Sequence, residues 1–110
     1  MAVSKTGRIF VAFPRWDDQP FTVAEIVDGR PVPYPSRAAN DFDRDHPREK
    51  LGSVEALTVA SGDLWVLDSG RPDFDARISG AAKLLRIDLE SDRILRRWVV
   101  PERVVRKWSY

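Results

Sequence analysis

Glu55 is the only carboxylate in the apolar stretch from Val54 to Val59. An acid buried at a channel would have a raised pKa suited to general acid-base work; the same residue could instead be hydrogen-bonded at the start of a strand. Asp68 opens a Ser69-Gly70 turn. It could bind a cationic amine or a metal, or cap backbone N–H groups, the common task of an aspartate at a turn. Arg15 and Trp16, followed by Asp17, offer a cation and an aromatic wall to a small polar aromatic or anionic ligand; the alternative is that Trp16 packs over a neighbouring element. Asp41, Asp43 and Asp45 copy the opening of a calcium loop, but its sixth position is His46 in place of Gly and its twelfth is Gly52 in place of Glu, which argues against calcium. His46 is the sole histidine, so a His-dependent triad or zinc site would have to use it. It lies in a charged stretch where solvent exposure is expected.

Other chemistries are excluded by what is missing. The chain has no cysteine, so thiolate catalysis, disulfides and cysteine-based metal sites are out. No Walker loop, dinucleotide fingerprint or Gly-x-Ser-x-Gly elbow is present. The formal charge is +1, too small to draw in nucleic acid or an anionic membrane. Trp98 and Trp108 share the C-terminal stretch with Arg93, Arg96, Arg97, Arg103, Arg106 and Lys107, a pattern that could stack and neutralise a nucleic acid. An outer strand alternating Ile94, Trp98 and Val100 with solvated arginines accounts for it better. The longest apolar run, Ile9 to Phe13, is far short of the roughly 20 residues of a membrane helix. The N-terminus lacks a basic-then-apolar export signal, so the chain as written reads as cytoplasmic.

The elements that would position these residues are strands. At 110 residues, 43% of them hydrophobic, the chain suits one globular domain. Gly and Pro recur too often for long helices, and between them lie β-branched and aromatic runs at Arg8 to Phe13, Thr22 to Val27, Val54 to Val59, Leu64 to Leu67, Lys83 to Leu89 and Ile94 to Val100. Ile9, Val11 and Phe13 point one way and Phe10 and Ala12 the other, so this strand wants cover on both faces. Trp65, inside the most apolar run, is expected in the core. An internal repeat organises the runs: Gly7-Arg-Ile-Phe-Val-Ala-Phe-Pro14 and Gly62-Asp-Leu-Trp-Val-Leu-Asp-Ser69 match at an offset of 55. Each is preceded by one short strand and followed by two more, with hairpin chemistry at Val27-Asp-Gly-Arg30 and Glu90-Ser-Asp-Arg93. Two four-stranded meanders in tandem predict an all-β fold, a partial β-propeller. Residues 1–35 form the first blade, 36–53 a charged inter-blade loop expected to be mobile, 54–101 the second blade, and 102–110 the start of a linker. In such a fold Arg15, Trp16, Asp17, Asp68, Ser69 and Gly70 fall in loops after the second strand, with Glu55 where a blade begins, all toward one channel mouth.

The segments Gly-Arg-Ile-Phe-Val-Ala-Phe-Pro-Arg-Trp16, Pro-Tyr-Pro35, Leu-Trp-Val-Leu-Asp-Ser-Gly70 and Ala-Lys-Leu-Leu-Arg-Ile-Asp-Leu89 resemble the major royal jelly protein and Yellow family, including bacterial members often labelled gluconolactonase-like. The resemblance implies a six-bladed propeller of which this chain corresponds to about the first third, and a chain truncated at both ends. Relatives usually carry an acidic residue where Ala60 stands. The family is mostly extracellular; some members bind biogenic amines and some promote dopachrome conversion, which implies a small aromatic or amine ligand in the central channel, with catalysis left open. A rival implication is a gluconolactonase-type hydrolase, in which a divalent metal held by Glu, Asn and Asp polarises a lactone and activates water. The only asparagine is Asn40, in the charged insert, so that ligand set is not visibly assembled; a non-functional gene remnant is the third reading. Two blades leave apolar faces uncovered, so self-association or complementation by further blades is expected.

Overall fold

The computed structural model describes residues 1–13, 21–42, 45–70 and 81–101. Eight strands form in chain order: β1 (Ala2–Val3), β2 (Ile9–Ala12), β3 (Val23–Val27), β4 (Arg30–Pro33), β5 (Val54–Ala60), β6 (Asp63–Asp68), β7 (Lys83–Asp88) and β8 (Arg93–Val99). They make two antiparallel four-stranded sheets, ordered β1-β2-β3-β4 and β5-β6-β7-β8. The all-β expectation of two tandem meanders is thus what the chain builds. The hairpins close where left-handed backbone is cheapest: Asp28 and Gly29 have φ of 51° and 77°, Ser61 and Gly62 of 52° and 80°, the paired positive values of the turns that match strand twist. No helix among the described residues is long and apolar enough to cross a membrane.

The sheets face each other, and their contact concentrates on β5 against β1 and β2. Period-two alternation sends Phe10 and Val23 inward from the first sheet and Leu64, Val66, Leu85 and Ile87 inward from the second; all are buried in one shared core. Trp65 corrects its expected place. It is half-buried, one residue out of phase with Leu64 and Val66, and so lies on the far side of the second sheet, stacked on Trp98 with ring centroids 5.8 Å apart.

The inter-blade segment also departs from a mobile loop. Ser36 caps a single helical turn, α1 (Arg37–Asn40), by accepting the Ala39 N–H. Asn40 and Leu51 are buried, while Asp41, Asp45 and His46 are exposed. The two ends of the segment are therefore packed onto the sheets, and the Lys50 ammonium donates back to the Ala38 carbonyl at 3.0 Å.

A polar latch joins the sheets at the hairpin end. Arg8 makes two bonds to the Glu25 carboxylate, at 2.8 and 2.9 Å, and reaches the other sheet through the Leu89 carbonyl at 2.7 Å and the Asp92 carboxylate at 3.0 Å. Tyr34 Oη donates to the same Asp92 oxygen at 2.7 Å. Burial, then the bond to Asp92, pushes the Tyr34 phenol well above its ordinary value. The folded state therefore keeps a proton that the unfolded chain releases near pH 10, and stability falls as pH rises beyond that point. Denaturant midpoints measured against pH should show this alkaline fall in the native protein and a flatter one in Tyr34→Phe; equal slopes would remove Tyr34 as the cause.

Candidate functional site

The ends of the strands opposite the latch gather the residues that the sequence singled out. Asp68 closes β6 and is fully buried. Its two oxygens accept the N–H groups of Gly52 at 2.7 Å, Ser53 at 3.0 Å and Gly70 at 2.9 Å. Gly70 makes the last of these possible: its φ is 74°, and a Cβ there would lie 2.5 Å from the Ala82 nitrogen, so only glycine fits. Opposite Asp68 in the β6–β7 register stands Lys83. Its Nζ lies 2.9 Å from the carboxylate and donates at 2.9 Å to each of the Pro47 and Ala81 carbonyls. Burial lowers the Lys83 pKa, and Asp68 opposes that shift. Ser69 is tied too, its Oγ donating to the Ser53 carbonyl at 3.0 Å.

Asp68 and Ser69 are therefore spent on chain architecture, the capping role that an aspartate at a Ser-Gly turn most often takes. Together they bind the start of the second blade to the end of β6. Lys83 went unremarked in the sequence, although a lysine opening an otherwise apolar strand needs a buried partner, and that was the available signal.

Asn40 is engaged just as fully. Its Oδ1 accepts from the N–H groups of Thr22 at 2.9 Å and Val23 at 3.0 Å, and its Nδ2 donates to the carbonyls of Tyr34 and Ser36 at 3.0 and 2.9 Å. Thr22 extends the chain of contacts, donating to the Phe13 carbonyl and accepting the Val54 N–H, both at 2.8 Å. The side chain therefore does not fit the metal-ligand role that a hydrolase reading would require of it. Among the described residues no three His, Cys, Asp or Glu side chains gather to hold a metal ion.

Glu55 stands apart. The β5–β6 register steps from Val54↔Asp68 to Ala56↔Leu67, so Glu55 is the extra residue of a β-bulge, a device that re-aims a side chain. It is exposed, and its carboxylate makes no hydrogen bond or ion pair among the described residues. Arg15, Trp16 and Asp17 lie outside the described residues. At the other end of the sheets a cleft of about 570 Å³ is bordered by Val3, Lys5, Thr6, Val59, Asp63 and Glu90. Asp63 there is paired with Arg86 at 2.7 Å.

The fold and this clamp fit a repeated blade, and comparison with known families agrees. The family model described as major royal jelly protein matches residues 53–110, more than half of the chain. The chain belongs to the major royal jelly protein family. The matched span begins at Ser53, one of the residues whose N–H Asp68 accepts, and includes the whole second sheet of this family member. No curated protein matches the chain.

Proposed function

We propose that this chain supplies two blades of a major royal jelly-type propeller that binds a small aromatic or amine molecule at the mouth of its central channel, with Glu55 as the anionic contact. The observation that supports this reading is the bulge: β5 is the edge strand nearest the first sheet, the position of a channel-lining strand, and its extra residue is a solvent-facing carboxylate with no partner among the described residues. A free carboxylate on a rigid strand suits recognition of an ammonium group. A lone exposed acid, with Asp68 and Asn40 otherwise engaged, supports binding over turnover. Titration calorimetry with tyramine is the test. Glu55→Gln, which keeps shape and removes charge, should weaken binding by about tenfold, the low end for a hydrogen bond to a charged group. Equal affinity in native protein and variant, or no heat in either, would overturn the assignment.

A further inference from the structure

The cleft at the hairpin end, about 570 Å³ in volume, falls within the roughly 300–1,000 Å³ usual for small-molecule sites. Its walls come from both blades. The β1–β2 turn supplies Ser4, Lys5 and Thr6 from the first blade, and the β5–β6 and β7–β8 turns supply Ser61 to Asp63 and Asp88 to Glu90 from the second. Further blades of a propeller stack on the outer faces of these two sheets, so a cleft between the two stays bounded by its own walls.

The walls are held in place by hydrogen bonds. The Ser4 carbonyl accepts the Gly7 N–H and its Oγ accepts the Arg8 N–H, both at 3.0 Å. Leu89 is fixed from two sides: its N–H donates to the Gly62 carbonyl at 3.1 Å, and its carbonyl accepts from Arg8 of the first blade at 2.7 Å. The cleft is therefore formed before any ligand arrives.

Most of its polar groups are already engaged. Asp63 is held by Arg86, and Asp88 accepts from the Ser91 hydroxyl at 2.7 Å and the Glu90 N–H at 3.2 Å. The Ser4 and Thr6 hydroxyls bond to each other at 3.0 Å. Two charges are left over. The Lys5 ammonium on one wall and the Glu90 carboxylate on the other are exposed, and neither pairs with the other or with another described side chain. Between them the lining is aliphatic, through Val3, Val59 and Leu89, and no aromatic side chain borders the cleft.

We infer that this cleft binds a small aliphatic zwitterion, a free amino acid of the leucine kind, with its carboxylate at Lys5, its ammonium at Glu90 and its side chain against Val3, Val59 and Leu89. Opposite charges on facing walls fix the orientation of such a molecule by charge-assisted hydrogen bonds at both ends. A ligand with a single charge satisfies only one wall. The site is separate from the contact proposed at Glu55, which stands near the start of β5, whereas Val59 lies near its end.

Titration of the nitrogen-15-labelled chain with L-leucine, followed by amide chemical shifts, tests this. The amides of residues 4–6, 61–63 and 88–90 should shift and saturate together. Lys5→Gln and Glu90→Gln, both at exposed turn positions, should each weaken binding by at least about tenfold, the low end for a hydrogen bond to a charged group. N-acetyl-L-leucine, which lacks the ammonium, and L-leucinamide, which lacks the carboxylate, should lose a similar factor on the native chain. Glu55→Gln should leave the leucine titration unchanged, so the two sites stand or fall separately. Absence of saturating shifts at these amides, equal affinity in the native chain and both turn variants, or either analogue binding as tightly as leucine would overturn the inference.

Discussion

Asp68→Ala is expected to leave the protein largely unfolded at room temperature. Removing one partner of a buried ion pair costs about 3–5 kcal/mol, because the remaining charge keeps its desolvation penalty and loses its counter-charge. Here the loss extends to the N–H groups of Gly52, Ser53 and Gly70, each buried donor without an acceptor adding about 1–3 kcal/mol. The total, on the order of 5 kcal/mol or more, rivals the ~5–15 kcal/mol that stabilises an ordinary domain. Lys83→Met should cost less, about 3–5 kcal/mol, since it too strands a buried charge but leaves Asp68 with its three backbone donors and no buried N–H without an acceptor. The pH dependence separates charge burial from cavity formation. Without Asp68, burial lowers the Lys83 pKa unopposed, so the unfolded chain binds a proton that the folded one lacks, and stability rises with pH toward the ordinary lysine value near 10.4. Asp68→Ala should therefore regain stability in the alkaline window just below that value. A variant equally unstable throughout that window, or as stable as Lys83→Met in denaturant melts, would contradict the ion-pair account.

The second large effect is expected at Asn40, which looks like an ordinary residue of a charged insert. Asn40→Ala leaves the N–H groups of Thr22 and Val23 and the carbonyls of Tyr34 and Ser36 without their present partner. The cost should be about 3–5 kcal/mol, from two buried donors at 1–3 kcal/mol each and smaller losses at the carbonyls. Asn40→Asp tests the same geometry from another side: it keeps an acceptor for Thr22 and Val23 and turns a second oxygen against two carbonyls in a buried site, so it should not rescue. Asp41→Ala, one residue on and exposed, should stay within about 0.5 kcal/mol of the native protein. Urea midpoints of the three variants decide the matter; Asn40→Ala as benign as Asp41→Ala would mean that the segment is not anchored there.

These two residues also explain how the blades hold together. Thr22 joins Asn40 to Val54 across the sheets, while Asp68 and Lys83 hold the start of β5 against the loop after β6. The strand that carries Glu55 is thereby fixed at its first residue. The bulge then turns the carboxylate out into solvent, with the preceding Val54 N–H already held by Thr22.

Strands, turns and the tandem repeat were legible in the amino-acid order because each depends on near neighbours. Alternation along Ile9 to Ala12, positive φ at Asp28-Gly29 and the offset between Phe10 and Trp65 involve only a few consecutive residues, or two segments read side by side. What lies over a given face depends on partners distant in the chain. Trp65 is no less apolar than Phe10, yet one is sealed and the other half open, because the second sheet covers the first and nothing described covers the second. Glu55 lies in an apolar run and is nevertheless exposed, because one extra residue in β5 shifts it out of phase. Asn40 sits in a hydrophilic insert and is nevertheless buried, because the backbone groups of Thr22, Val23, Tyr34 and Ser36 converge where only a side-chain amide can satisfy all four. Local interactions set the kind of element, and only long-range packing, which must pair every buried polar group and cover every apolar face, assigned each side chain its surroundings.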